Sequence, residues 1–396
     1  NMIYTVPEYY NQFQCLASAC PATCCAGWQI VIDEKTQEKY RNYKGSFGNR
    51  LKNSIDWKDG TFQQYHGRCA FLNEENLCDI HIEAGHDALC RTCRRYPKHV
   101  EVYENEREVS LSLSCPAAAK LIMGQKQPCR FRSVENGGEE SEKDFDEFLY
   151  SALQDCRKVM LTLAQDRSVS LQLRMARILA LAHDVQNRIE RNRVFEVETV
   201  LERYQRPQAR ELLDAKLCRF AEQSKQQRGA RAWLEDWITV RWRMLDLFRE
   251  FEVLDPLWTE DLQMYRRCLY EKGCATYLDQ ELQWTERSEE WETEYEQILV
   301  YFLFTYFCGA VYDGDVMRKV QMAVESVLIL SELGMAAWMQ EGTLPTFEDR
   351  MRLAWRYSRE LEHSDPNLAA MERVLGEWPE YGFEPMLLQL LAHEHR

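Results

Sequence analysis

The sequence has no excess of positive charge, no long hydrophobic run and no nucleotide-binding glycine loop. Its 49 Lys and Arg residues stand against 64 Asp and Glu residues, a net charge of −15. This charge disfavours general binding to nucleic acid or to an anionic membrane. The longest apolar run, Ile298 to Val311, is interrupted by Thr305 and Gly309. It is too short to cross a bilayer, and we expect a buried helix there.

Other absences exclude further classes. No glycine-rich loop follows a clear strand, which disfavours a Rossmann-type methyltransferase. No fixed-period repeat is visible, so a solenoid is not favoured. No secretory leader follows Asn1-Met2, and we expect a cytoplasmic protein with reduced thiols. Hydrophobic residues make up 45% and charged residues 29%, as in ordinary soluble globular proteins.

The sequence predicts an α+β protein that is mostly α. We expect a small cysteine-rich metal-binding domain at 1–125, a polar linker at 126–144 and a large all-helical domain at 145–396. In the first domain, an N-capped helix is predicted after Asp33 and a hairpin around Glu104-Asn105-Glu106.

Residues 44–66 read as irregular, and residues 1–14 are expected to pack against the cysteine region. Apolar residues recur at three and four positions beyond residue 145, which indicates roughly eight to ten amphipathic helices. The predicted breaks are Pro207, Gly229, Asp255-Pro256, Gly273, Gly314, Gly342–Pro345, Asp365-Pro366 and Pro379.

Nine of the 15 cysteines lie between residues 15 and 115 and are candidate metal ligands. They are Cys15, Cys20, Cys24, Cys25, Cys69, Cys78, Cys90, Cys93 and Cys115. The odd number and the adjacent pair disfavour a disulfide framework. Dense thiolates instead favour a soft metal, such as zinc, copper(I) or an iron–sulfur cluster. Their spacing leaves zinc and iron–sulfur as open alternatives. The six other cysteines lack mutual spacing, and we expect them to pack in cores.

Four motifs carry a family resemblance. They read Phe13-x-Cys15-x4-Cys20-x3-Cys24-Cys25-x-Gly27-Trp28-x-Ile30, Cys69-x-Phe71-Leu72-Asn73-x3-Leu77-Cys78-x-Ile80, Leu89-Cys90-x-Thr92-Cys93-Arg94-x-Tyr96-Pro97 and Ser114-Cys115-Pro116. Together they closely resemble the flagellin lysine-N-methylase family, and more loosely the small cysteine-cluster proteins that chelate zinc or iron. The resemblance implies a [4Fe-4S] cluster, S-adenosylmethionine as methyl donor and surface lysines of flagellin as substrate. It leaves open which of the nine cysteines ligate.

Candidate site residues outside the cysteines follow from charge and aromaticity. Arg94 beside Cys93 is a candidate for holding a donor carboxylate, with Tyr96 and Trp28 near the donor. Asp313 is the candidate acceptor of the lysine proton, and its alternative role is in a helix stop. Three tyrosines are candidates for lining a lysine slot, with core packing as the alternative: Tyr301, Tyr306 and Tyr312.

The functional prediction is a protein lysine N-methyltransferase whose active site lies where the two domains meet. The competing prediction is a non-catalytic zinc- or iron-binding module for storage, sensing or assembly. The large helical half favours the enzyme, because a chelator would not need it.

Overall fold

A computed structural model of the chain describes residues 1–138 and 144–392, within which there are eight strands and eighteen α-helices. The strands are β1 Met2–Pro7, β2 Ile55–Asp56, β3 Thr61–Phe62, β4 Gln64–Tyr65, β5 Arg68–Cys69, β6 Lys98–Tyr103, β7 Glu106–Leu111 and β8 Phe131–Asn136. The helices of the first part are α1 Glu34–Asn42, α2 Gly45–Asn53, α3 Asp79–Ala84, α4 Arg91–Arg95 and α5 Pro116–Gly124.

The remaining helices follow one another along the chain. They are α6 Glu147–Ala164, α7 Leu171–Glu190, α8 Val197–Gln205, α9 Pro207–Arg228, α10 Ala230–Met244, α11 Pro256–Tyr270, α12 Cys274–Ser288, α13 Glu292–Tyr306, α14 Ala310–Asp313, α15 Val316–Glu341, α16 Phe347–Glu362, α17 Asp365–Glu377 and α18 Phe383–Leu391. With 68% helix and 9% strand, the prediction of a mostly α fold is confirmed.

The predicted breaks lie at helix boundaries, but the predicted number of helices was too low. Pro207 and Pro256 begin helices, and Gly314 ends one in the left-handed region with φ of 71°. Among the described residues, thirteen helices follow residue 145. Some junctions were missed because they carry no glycine or proline. The 3-10 turn Glu289–Trp291 between α12 and α13 is an example.

A four-stranded sheet joins the two ends of the cysteine-rich part, in the order β6-β7-β1-β8. The β6–β7 hairpin confirms the predicted pairing, whereas β1 and β8 were not predicted. β1 pairs in parallel with β7 across about a hundred residues, which no local pattern reveals. β8 lies inside the predicted linker, whose residues Glu139-Glu140 fall outside the described residues.

One face of this sheet packs against the helices. The ring centroids of Tyr103 and Tyr150 are 4.8 Å apart, and those of Phe131 and Phe304 are 4.1 Å apart. Arg157 forms a bidentate ion pair with Glu108 that is buried under this face. Because both charges are desolvated and paired, they fix how α6 sits on the sheet.

The hydrophobic residues form two cores. The smaller core lies among the cysteines and consists of Ile30, Ile32, Tyr40, Leu51, Ile55, Phe62, Cys69, Phe71, Ile80, Ala88, Leu89 and Cys90. Helix α1 begins as predicted, with Asp33 Oδ1 accepting a hydrogen bond from the Thr36 amide at 3.1 Å. Helix α2 corrects the prediction that residues 44–66 are irregular.

The larger core includes side chains of β6, β7, α5 and all the later helices. It therefore reaches back into residues assigned to the first domain. Residues 1–14 pack against the cysteine region as predicted, since β1 pairs with β7, and Tyr9 is buried in the larger core together with Cys115. The division at 125 and 145 stays a prediction.

Helix α15 is long and apolar enough to span a membrane by length and composition. However, 78% of its most apolar window is buried inside the protein, as in the core helix of a globular fold. It packs against α7, α11 and α13. The predicted apolar helix at 298–311 is α13 followed by a short turn and α14, and it is buried as expected.

Gly334 on α15 lets α12 approach closely. A Cβ atom at this position would lie 2.8 Å from Cζ2 of Trp284, which is itself buried. We expect Gly334→Ala to lower the free energy of unfolding by about 1–3 kcal/mol, since overpacking displaces a core ring. Urea denaturation measures this. Gly124→Ala is the control, because its Cβ would meet open space; equal losses in both variants would contradict the close approach.

Candidate active site

The thiols near the smaller core form two hydrogen-bonded groups. Cys25 hydrogen bonds with Cys24 and with Cys78, and Cys90 hydrogen bonds with Cys93. The hydrogen bonds from Cys25 lower the pKa of Cys24 and of Cys78 to about 7. No disulfide joins any of the fifteen cysteines, all of which lie within the described residues.

The remaining predicted ligands are less close together. Cys69 is buried in the smaller core, and burial raises its pKa to about 12. Cys15 is exposed, Cys20 is partly buried, and Cys115 is buried at the start of α5. Of the six other cysteines, Cys274 is exposed, which corrects its predicted core position.

The donor chemistry of these thiols fits a soft metal, although the described residues form no preformed site. Within residues 1–138 and 144–392, no three Cys, His, Asp or Glu side chains are arranged to hold a metal ion. In the first group of thiols, Cys25 is the shared hydrogen-bond partner of Cys24 and Cys78. Thiolate groups this close are suited to zinc or to an iron–sulfur cluster and unsuited to magnesium or calcium.

Helix α16 joins the cysteine region to the helical half through Arg359. Its Nε donates to the Ser114 carbonyl oxygen at 3.0 Å, and its Nη2 donates to the Ala22 carbonyl oxygen at 2.5 Å. The guanidinium lies 5.0 Å from the ring centroid of Trp355. The Arg359 side chain therefore links three parts of the chain: the first cysteine loop, between Cys20 and Cys24, the Ser114-Cys115 segment and α16.

An aromatic cluster lies beside Arg359. The Trp28 ring is 4.4 Å from the His363 ring and 5.7 Å from the Tyr96 ring, measured between centroids. The Tyr96 hydroxyl and His363 Nε2 both contact Ser114 Oγ, at 3.0 and 2.8 Å. Burial, aided by the Arg359 charge, lowers the pKa of His363 to about 3, so its imidazole is neutral at pH 7.

The structure thus brings together two of the three residues predicted to lie near the donor. Trp28 and Tyr96 share this cluster, each partly buried. Arg94 lies on the exposed side of the short helix α4, outside these contacts. The Trp28 indole donates to the Cys24 carbonyl oxygen at 2.8 Å, which ties the cluster to the cysteines.

Next to His363, Glu362 occupies a pocket of hydroxyl groups. Its Oε1 accepts hydrogen bonds from the Tyr301 hydroxyl at 2.8 Å and the Tyr306 hydroxyl at 2.5 Å, and its Oε2 accepts one from Ser358. Burial raises the pKa of Glu362, although these hydrogen bonds oppose the shift. In the part of the chain that the structure describes, no Lys or Arg forms an ion pair with it.

His99 on β6 borders the same pocket. Its ring centroid is 6.1 Å from that of Tyr306, and its Nε2 lies 2.5 Å from Glu101 Oε1. Burial opposes protonation of this imidazole, but the hydrogen bond with Glu101 and the charges of Glu101 and Glu362 together outweigh burial and raise the pKa of His99. Glu362, Tyr306 and His99 are each only partly buried, so the pocket borders solvent.

Asp313 lies in a helix-stop turn. Its Oδ1 accepts from the Asp315 amide at 2.9 Å, and its Oδ2 accepts from Lys319 Nζ at 2.7 Å. Tyr312 donates to the Val102 carbonyl oxygen at 2.5 Å, on the edge of the sheet. None of these contacts reaches Trp28, Tyr96 or Arg94. The catalytic role of Asp313 stays a prediction.

Sequence reasoning missed three residues of this junction, all at the end of α16: Arg359, Glu362 and His363. They lie next to an apolar stripe through Leu353, Tyr357 and Leu361, and polar residues at such helix ends usually face solvent. The one available signal was that Ser358 and Glu362, four residues apart, lie on one helix face.

Comparison with known proteins assigns the helical half to a family. Residues 157–384 match the FliB lysine N-methylase C-terminal domain, and this match covers more than half of the chain. The chain therefore belongs to this family. The match includes Tyr301, Tyr306, Glu362 and His363 and excludes the nine clustered cysteines.

Individual relatives match a shorter stretch. The chain is 33% identical over 128 residues to the flagellar biosynthetic protein FliU of Salmonella muenchen, covering 30% of this chain and 76% of that protein. The lysine-N-methylases of Salmonella typhimurium and Salmonella choleraesuis are equally similar over the same length, which is 32% of each. The chain thus spans about a third of the length of these two relatives. No solved structure matches the chain at a significant level.

Proposed function

We propose that this protein is a protein-lysine N-methyltransferase whose active site lies at the junction of α16 with the cysteine region. Family membership supports the reaction class. The observation that carries the proposal is Glu362, a carboxylate held by Tyr301 and Tyr306 beside the Trp28–His363 ring pair. A metal-binding module without catalysis would have no need of such a pocket in its helical half.

The chemical requirement is removal of a proton from the acceptor. A lysine side chain has a reference pKa of about 10.4, so at neutral pH its amine is protonated and cannot accept a methyl group. A carboxylate in a partly desolvated pocket attracts the ammonium and gives its proton a destination. S-adenosylmethionine, when bound, supplies an electrophilic methyl group on a sulfonium. The free amine gains that methyl group, and a neutral thioether leaves.

Glu362 suits this role because, among the described residues, it has a vacant acceptor position and no Lys or Arg paired with it. A carboxylate can accept about four hydrogen bonds, and Glu362 accepts three, all from neutral hydroxyl groups. An arriving ammonium would therefore donate the fourth hydrogen bond to Glu362 and balance the negative charge of this carboxylate. The faces of Tyr301 and Tyr306 would favour the ammonium and its methylated forms.

We also propose that the cysteine region holds a [4Fe-4S] cluster, with zinc as the alternative. Cys24, Cys25, Cys78, Cys90 and Cys93 are the candidate ligands, because their thiols already contact one another in two groups, and a cluster would take four of the five. When bound, the cluster would supply a redox-active or Lewis-acidic centre near the first cysteine loop. Trp28 would separate this centre from the Glu362 pocket, since Trp28 contacts both Cys24 and His363.

Two further proposals concern the protein substrate and the methyl donor. The names of the relatives, a flagellar biosynthetic protein and lysine-N-methylases, support flagellin as the protein substrate. S-adenosylmethionine is proposed as donor, with Trp28 and Tyr96 near it and Arg94 as a candidate for its carboxylate.

Incubation of anaerobically purified protein with a purified flagellin and S-adenosylmethionine tests this function. We expect intact-mass spectra of flagellin to gain one methylene mass per transfer, and peptide mapping to locate the gain on lysines. Replacing the donor by S-adenosylhomocysteine is the control and should give no gain. A flagellin mass that stays unchanged with the metal-loaded protein would contradict the proposal and favour a binding module.

A further inference from the structure

The outer face of the four-stranded sheet, opposite the helices, is a groove with an apolar floor. Besides the buried Arg107, six largely apolar side chains form this floor: Tyr4, Val6, Val100, Val102, Val109 and Val134. They belong to all four strands, and the register confirms that they are neighbours. Val102 is opposite Arg107, Arg107 is opposite Tyr4, and Tyr4 is opposite Val134. The groove has a volume of about 500 Å³.

This composition is unusual for a sheet face that borders solvent. Every second side chain along a strand points to the same face, and those that point to solvent are normally polar. Here Val102 and Val134 remain 39% and 53% exposed. The described residues that line the groove contribute nothing acidic. An apolar floor left open in this way is typical of a surface that a partner covers.

The rim of the groove is basic, in a chain whose net charge is −15. Arg95, Lys98 and Arg132 are exposed at its edges. Within residues 1–138 and 144–392, no carboxylate forms an ion pair with any of these three. Lys98 lies 5.7 Å from the ring centroid of Tyr10, which forms one wall. The three cations of the rim and the valines of the floor together favour an occupant that carries both acidic and apolar side chains.

We propose that this groove docks an acidic polypeptide segment with apolar side chains, carried by the protein substrate at a distance from the acceptor lysine. Four strands spaced about 4.8 Å apart give a floor about 14 Å wide, which is sufficient for one strand or one helix. A nucleic acid or an anionic membrane fits less well. Its phosphates gain nothing from a valine floor, and the acidic body of the chain repels a large polyanion.

The location supports a role in substrate binding that is separate from catalysis. β6 carries Val100 and Val102 on the groove face and His99 on the opposite face, beside Tyr306 and the Glu362 pocket. The groove and the pocket are thus on two faces of one sheet. This role rests on the proposed methyltransferase function, whereas the docking of an acidic segment does not.

Fluorescence anisotropy measures docking directly. The probe is a short fluorescein-labelled peptide in which glutamate and valine alternate, and lysine replaces glutamate in the control peptide. We expect the full chain to bind the acidic peptide and not the basic one. Reversal of the rim charges in R95E/K98E/R132E should weaken binding by about tenfold or more. The variant V134S, a neutral substitution that alters only the floor, should also weaken binding.

The matched control is K35E/K216E/K272E, which changes the net charge equally at exposed positions outside the groove. It should bind like the unmodified protein. Equal binding by both triple variants would overturn the proposal. So would a groove-dependent affinity for a DNA duplex or for phosphatidylserine vesicles together with no affinity for the acidic peptide.

Methylation kinetics connect the groove with the reaction. With flagellin, the rim variant should raise KM and leave kcat unchanged, because the Glu362 pocket is not altered. With a short lysine peptide that lacks acidic residues, both parameters should be unchanged. Absence of methylation in every form of the protein would reject the methyltransferase proposal and leave the anisotropy result standing.

Discussion

Replacing Glu362 by glutamine is expected to lower the rate of methyl transfer by about a hundredfold or more, the usual size of a lost general base. Glutamine keeps the shape of the side chain and can still accept the hydrogen bonds of Tyr301 and Tyr306. It cannot pair with an ammonium or take its proton. Single-turnover assays with flagellin measure the rate, and circular dichroism checks that the fold is retained.

Asp313→Asn is the matched control for this experiment, because it removes the same charge from the carboxylate predicted by sequence. Asp313 pairs with Lys319 at 2.7 Å in its turn, so we expect little change in the rate of methylation. Tyr306→Phe should give an intermediate loss, since one hydroxyl donor to Glu362 is removed. A full rate in Glu362→Gln together with a large loss in Asp313→Asn would assign the base to Asp313.

Much of the helical half could be predicted because helix boundaries depend on local chemistry. Proline at 207 and 256 fits only the first turn of a helix, and glycine at 314 adopts the left-handed conformation. The sheet was only half predictable. The β6–β7 hairpin is local, whereas β1 pairs in parallel with a strand about a hundred residues later. Its register is decided by tertiary packing.

The candidate site was likewise predictable only where it depends on local sequence features. The cysteine motifs located one side of the junction and the pair Trp28 and Tyr96, because their residue types are rare and closely spaced. Glu362 could not be found in this way. A glutamate near the end of a helix is ordinary in sequence, and its difference arises only when α13 places Tyr301 and Tyr306 against it. Asp313, by contrast, was predicted as the catalytic carboxylate because helix-stop turns are easily recognised in a sequence.

Replacing Cys90 by serine is expected to remove most of the bound iron and sulfide and to loosen the smaller core. Cys90 is fully buried in that core and hydrogen bonds with Cys93. A core of about a dozen side chains is too small to be stable without support, and metal binding by thiolates contributes directly to folding. Hydrogen exchange should therefore accelerate in α1, α2 and α3. Helices α13 and α15 belong to the larger core and should keep their protection.

Cys274→Ser is the control, because this thiol is exposed on α12 and outside both cores. It should keep the metal content and the exchange pattern of the unmodified protein. Stoichiometric zinc in colourless, active protein would reject the iron–sulfur proposal and leave the cysteines a structural role. Loss of protection in α13 and α15 as well would mean that the two cores unfold together. The junction through Arg359 and Ser114 would then couple them more strongly than their separate hydrophobic contacts imply.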